Sequence, residues 1–132
     1  MAELDVLKYD NLFAGDFDIV TEAITVGESQ TILRGDLLEK KVTETISIAD
    51  GSATRTVAAN YVRPSGAATE ESFYAVASED ITTGVGVTAP TIGYKTGIFN
   101  EYSMRFGGAS TADDNRDILG AQSVYLRKAN KQ

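Results

Sequence analysis

The chain has 132 residues, 42% hydrophobic and 23% charged, which suits one globular domain with a core of its own. Nineteen acidic against 12 basic residues give a net charge of −7, which repels phosphate backbones and argues against a nucleic-acid partner. With no cysteine and no histidine, disulfides, thiolate or imidazole metal sites, and Ser-His-Asp or Cys-His catalysis are excluded.

The N-terminus, Met1-Ala2-Glu3-Leu4-Asp5, is acidic where a secretory signal is basic and then apolar. No apolar run approaches the ~20 residues that span a bilayer. The chain is therefore expected to stay in the cytosol of the producing cell, without a membrane partner. Residues 1–30 carry seven acids (Glu3, Asp5, Asp10, Asp16, Asp18, Glu22 and Glu28) against Lys8, whereas Arg127, Lys128 and Lys131 make the last ten residues basic. Through residue 18, Leu4, Val6, Leu7, Tyr9, Leu12, Phe13 and Phe17 follow no clean period. The stretch 1–18 reads as an arm ahead of a domain at 19–132. The alternative is that it forms the first piece of the core.

From residue 19 the pattern turns to strands. Ile19–Val26 is β-branched and stops at Gly27; Thr31-Ile32-Leu33 leads to Gly35, and Leu37-Leu38 follows. Val42–Ile48 alternates apolar with Thr and Ser, then meets the hairpin signal Asp50-Gly51. Arg55–Val62, Phe73–Ile81, Val85–Lys95 and Ile98–Phe106 continue the series, separated by Pro64-Ser65-Gly66, Thr83-Gly84 and Thr96-Gly97. One helix is expected near 111–120. Ser110 to Asp113 has the form of a capping box, acids at 113, 114 and 117 suit the positive end of the helix dipole, and Gly120 supplies a stop. Ser123–Arg127 reads as a closing strand. The expected fold is mainly β, a compact barrel or sandwich-like single domain with one short helix near the C-terminus.

Several motifs dissolve on inspection. Gly84-Val-Gly86-Val-Thr-Ala89 fits a loose dinucleotide pattern, but Pro90 follows at once and the surrounding Thr and Val disfavour the helix that the pattern needs. Asp113 to Gly120 resembles half a calcium loop, yet Ile118 and Val124 stand where glycine and a bidentate glutamate are required. Glu70-Glu71 and Glu79-Asp80 read as solvated turn residues, since strand neighbours point to opposite faces. Arg34-Gly35-Asp36 is a cell-adhesion tripeptide, but Ile32-Leu33 and Leu37-Leu38 around it read as a turn or bulge within strand structure. The chain is therefore expected to be non-enzymatic, with no metal, no cofactor and no small-molecule substrate.

Two stretches carry a family likeness: Ile32-Leu33-Arg34-Gly35-Asp36-Leu37-Leu38, and Phe73 to Ile81 followed by Ile92-Gly-Tyr94-Lys95-Thr96-Gly97-Ile98-Phe99-Asn100. Together with the short helix and closing strand after them, they resemble the head decoration proteins of lambda-like tailed phages over roughly residues 30–127. Tyr94 to Phe99 is the most specific element. The resemblance implies a β-rich structural protein that forms homotrimers and binds the major capsid protein. Such proteins cap three-fold and quasi-three-fold positions of the expanded shell, and hold it against internal DNA pressure on the outer virion surface. It also implies an N-terminal segment that orders by adding to a capsid strand. The candidate capsid-binding residues on that segment are Val6, Leu7, Tyr9, Leu12 and Phe13, although the N-terminal part here is longer than the family's short arm. Two other readings stand beside this one: a carbohydrate- or receptor-binding β-module of a phage or cell surface, and a small enzyme using carboxylates.

Overall fold

The computed structural model describes residues 12–129. Strand accounts for 47% and helix for 11%, so the mainly β expectation holds, with one α-helix near the C-terminus. The strands are β1 (Thr21–Val26), β2 (Thr31–Ile32), β3 (Leu37–Ala49), β4 (Ser52–Val62), β5 (Tyr74–Ala77), β6 (Ile81–Thr82), β7 (Ala89–Tyr94), β8 (Gly97–Asn100) and β9 (Val124–Arg127). Helix α1 spans Ala112–Ala121, and a 3-10 turn covers Glu101–Ser103.

Five strands close a barrel in the order β1-β4-β3-β5-β7, with β7 returning to β1. Its seam is thin: β1 meets β4 in parallel only at Val26–Tyr61, and the Gly27 amide donates to the Tyr61 carbonyl at 2.9 Å. Two small sheets flank it, antiparallel β2-β6 and parallel β8-β9.

Alternation along two strands divides the interior. Leu37, Tyr74 and Val76 face one cluster with Leu12, Phe99, Met104, Leu119, Val124 and Leu126. Leu38, Ala75 and Ala77 face a second, with Ile24, Val26, Ile32 and Tyr61. Successive residues point to opposite faces, so Tyr74-Ala75-Val76-Ala77 is buried along its whole length. The second cluster stays narrow because its walls are small: a Cβ on Gly93 would lie 2.9 Å from Ile24 Cδ1 and 3.2 Å from Ala75 Cβ.

Boundaries depart from expectation where side-chain pattern and pairing diverge. Ile19 and Val20 precede β1 and are exposed. The segment expected at Val85–Lys95 begins pairing only at Ala89, because Val85 to Thr88 forms a turn around Gly86 at φ 73°. The segment expected at Ile98–Phe106 leaves the sheet at Asn100, whose side chain accepts from the Tyr102 amide and starts the 3-10 turn. The capping box lies one residue later than expected. Thr111 Oγ1 accepts from the Asp114 amide, and Asp114 returns a bond from the Thr111 amide. Ser110 instead donates to the Gly107 carbonyl. Gly120 lies inside α1, and the chain turns beyond Gln122 with Ser123 at φ 66°.

Candidate binding surface

The N-terminal segment enters the described structure at Leu12, which is 1% exposed. Its carbonyl accepts from the Asn100 amide at 2.6 Å, and Phe13 forms a β-bridge with Phe99. The Phe13 ring meets Tyr94 edge-on at 4.9 Å and Phe99 at 5.2 Å. The Ala14 amide donates to the Ile98 carbonyl, and Arg127 donates to the Ala14 carbonyl. Thr96 donates to the Asp18 carbonyl. Of the five residues expected to anchor a partner, Leu12 and Phe13 are thus spent on the chain's own core. Val6, Leu7 and Tyr9 lie outside the described residues. Residues 12–18 of the expected arm thus lie against the body, because an irregular apolar spacing cannot distinguish a strand lent outward from one folded back.

Arg34-Gly35-Asp36 is built into the body and offers no adhesive tip. Asp36 is fully buried. Its carboxylate takes a two-pronged bond from Arg105, accepts from the Leu33 amide at 2.8 Å, and has Arg63 Nη1 at 3.5 Å. Hydrogen bonding to Asp36 raises the Arg105 guanidinium above its ordinary value, with burial opposing and the charge of Asp36 assisting. Arg34 donates to the Ser78 carbonyl and the Tyr94 hydroxyl, and lies over the Tyr94 ring at 5.6 Å. Gly35 has φ 95°, and a Cβ there would lie 2.3 Å from the Ser103 carbonyl oxygen.

The segment Tyr94 to Phe99 is likewise structural. Lys95 Nζ reaches the Tyr61 hydroxyl at 3.2 Å and the Tyr74 carbonyl at 3.3 Å. Thr96 Oγ1 also accepts from the Val20 amide. Phe99 is fully buried. Of the acidic turn pairs, Glu79 accepts from the Thr91 hydroxyl and Asp80 from the Arg34 amide. On α1, Asp113 binds Arg116, which holds its carboxyl below the ordinary value. Arg116 also joins Glu101 and the Leu126 carbonyl, tying the helix to β9. No group of three or more acidic side chains among the described residues is placed to hold a metal ion. A shallow groove beside α1, about 370 Å³, is lined by Glu70, Phe73, Asp117, Ile118, Ala121 and Gln122.

The surface that stands out is the far part of the β3-β4 hairpin. Only Leu37 to Glu39 of β3 pair with β5, and only Tyr61 of β4 meets β1. From Lys41–Asn60 to the tip, the two strands pair with each other alone. At about 3.4 Å per residue, nine residues carry this ribbon about 30 Å beyond the barrel. Asp50 and Gly51 close it with φ 51° and 77°, the paired positive values of a type I′ turn, as the Asp-Gly signal predicts.

Register sorts the ribbon into two unlike faces. Val42 opposes Ala59, Glu44 opposes Val57, Ile46 opposes Arg55, and Ile48 opposes Ala53. The other face carries Thr43, Thr45, Ser47, Thr54 and Thr56, with Lys41 and Asn60 at its base. On the first face Val42 is 61% exposed, Ile46 62%, Ile48 78% and Val57 53%. The two charges there, Glu44 and Arg55, are bonded to each other. A lone two-stranded ribbon is marginal in water unless an apolar face is covered. Covering these four side chains removes about two and a half whole side chains from water, worth about 4–8 kcal/mol. Sequence reasoning placed the strands and turn but not this surface; the signal available was the equal alternation on both sides of Asp50-Gly51.

Compared with protein-family models and with curated proteins, the chain matches none. Among the described residues, no helix is long and apolar enough to cross a membrane.

Proposed function

We propose that this chain is a non-enzymatic structural protein that decorates the outer surface of an expanded tailed-phage head. It sits as homotrimers at three-fold and quasi-three-fold positions and clamps major capsid subunits against internal DNA pressure. The observation that carries the assembly part of this reading is the β3-β4 ribbon, twenty residues with an apolar stripe that no other described residue covers. Such a ribbon suits a protein whose finished state is a complex. The phage-head part rests on the sequence resemblance over residues 30–127, with which a β-rich domain and a single short C-terminal helix agree.

The capsid-directed segment in this reading is residues 2–11, which precede Leu12, the first residue held in the described core. It lends a strand to the capsid protein, with Val6, Leu7 and Tyr9 in side-chain pockets. Ordering costs about 1–2 kcal/mol per residue, so three anchors at about 1.5–3 kcal/mol each cannot carry ten residues without backbone pairing. The test is co-sedimentation with expanded and unexpanded heads of the phage that encodes the chain. The full chain is expected to bind expanded heads only, and a variant lacking residues 2–11 to stay folded in the supernatant. Failure of the full chain to bind, or undiminished binding by the deletion, overturns this reading.

A further inference from the structure

We infer that the β3-β4 ribbon is the contact between copies of this chain, packing apolar face to apolar face. This deepens the assembly reading and takes the trimeric count from it, while the contact itself stands on the ribbon. Three observations choose a second copy as the occupant.

The first is charge. Residues 41–60 hold Lys41 and Arg55 against Glu44 and Asp50, a net of zero, so the whole −7 of the chain lies elsewhere. Two copies therefore repel least where ribbon meets ribbon. Burying the stripe also isolates no charge within it, because Glu44 and Arg55 already satisfy each other.

The second is extent. The apolar face alone runs the length of the ribbon, with Val42, Ile46, Ile48 and Val57 each more than half exposed and Ala53 and Ala59 between them, a continuous stripe of the kind that marks an interaction surface. The third is edge exposure. Among the described residues, β3 beyond Lys40 has no neighbour but β4, and the outer edge of β4 is open from Ser52 to Asn60. Between Thr43 and Thr56 the ribbon's charges are Glu44, Arg55 and, at the turn, Asp50, with no proline and no lysine to discourage pairing. A ribbon left in this state is stabilised by any apolar cover, and another copy of the chain is always at hand.

In a trimer, three ribbons with Val42, Ile46, Ile48 and Val57 turned inward form a three-sided prism, with the Thr/Ser faces turned to water. The barrels stand apart at its base, where their acidic surfaces are separated. The partner is thus a second copy of this chain.

The test reads mass in solution by sedimentation equilibrium, for the full chain, Ile46→Lys and Thr45→Lys. These neighbours receive the same charge on opposite faces. The full chain is expected to associate, Ile46→Lys to weaken association by about a hundredfold or more, and Thr45→Lys to leave it unchanged. A second measurement does not depend on the lysine variants folding. Because the chain has no cysteine, Ile46→Cys should form disulfide-linked dimers on mild oxidation and Thr45→Cys should not. A monomeric full chain, equal effects of the two lysines, or cross-linking favoured at Thr45 overturns the inference. Ribbon amides protected from exchange only once heads are added would assign the ribbon to the capsid and overturn it too. Sedimentation and cross-linking do not read head binding, and protection by heads would itself show it, so failure of the inference leaves the decoration reading to its own test.

Discussion

Replacing Leu12 with alanine separates a residue lent to a partner from one that belongs to the body. Leu12 is 1% exposed and packs in the cluster of Leu37, Phe99 and Val124. Its Cδ1 would lie 3.3 Å from a Cβ built on Gly35, and its carbonyl is fixed by the Asn100 amide. Truncating a buried leucine costs about 2–5 kcal/mol, depending on how far the site collapses. The site lies at the edge of the described core, so the expected cost is about 2–4 kcal/mol. For a domain of this size each kcal/mol moves the melting temperature by about 3–5 °C. Calorimetry of the variant should therefore show a fall of about 6–20 °C with head binding retained at low temperature. A melting point within about 2 °C of the parent, with head binding lost, would show that Leu12 serves a partner and refute the packing argument.

Asp36→Asn keeps the shape but removes the charge that Arg105 and Arg63 share. Because Arg105 is half exposed, the expected loss is about 2–3 kcal/mol, below that for a wholly buried pair, and urea unfolding measures it. Gly35→Ala must relieve both a positive φ and a 2.3 Å approach to the Ser103 carbonyl, so it should cost about 1–3 kcal/mol or more by the same assay. Thr111→Ala removes one half of the capping box and should cost about 1 kcal/mol, with fraying of α1 visible by hydrogen exchange. The Asp113 carboxyl, lowered by Arg116, should stay ionised as pH falls through the ordinary carboxylate range, so their link is lost only below it. A carbon-detected titration should place its midpoint below the ordinary value, and Arg116→Ala should restore it.

What could be read from the sequence was whatever local pattern decides. Asp50-Gly51 between two alternating runs is a hairpin on turn chemistry alone, and the acids after Thr111 mark a helix start to within one residue. What could not be read depended on distant partners. Asp36 looks like an exposed turn acid until Arg105, 69 residues away, closes on it. Gly97 to Asn100 and Val124 to Arg127 each read as strands, but nothing local says that they pair in parallel. The ribbon is the instructive case. Alternation from Val42 to Ile48 announces one apolar and one polar face, and ordinarily the apolar face meets a core. Whether a second layer covers that face is a property of the whole fold, and here β5 stops pairing at Glu39 while β3 continues to Ala49. Leu12 and Phe13 show the converse: apolar side chains in an acidic, glycine-broken stretch pack beside Phe99, a place that no spacing could foretell.

Electron cryomicroscopy of the expanded heads that the proposed function names, mixed with the purified chain, tests the decoration reading most directly. The account predicts added density at the three-fold and quasi-three-fold positions, resolved as three barrels whose ribbons converge on the axis, and none on unexpanded heads. Bare expanded heads at saturating protein, or isolated single copies at five- or six-fold centres, would contradict it.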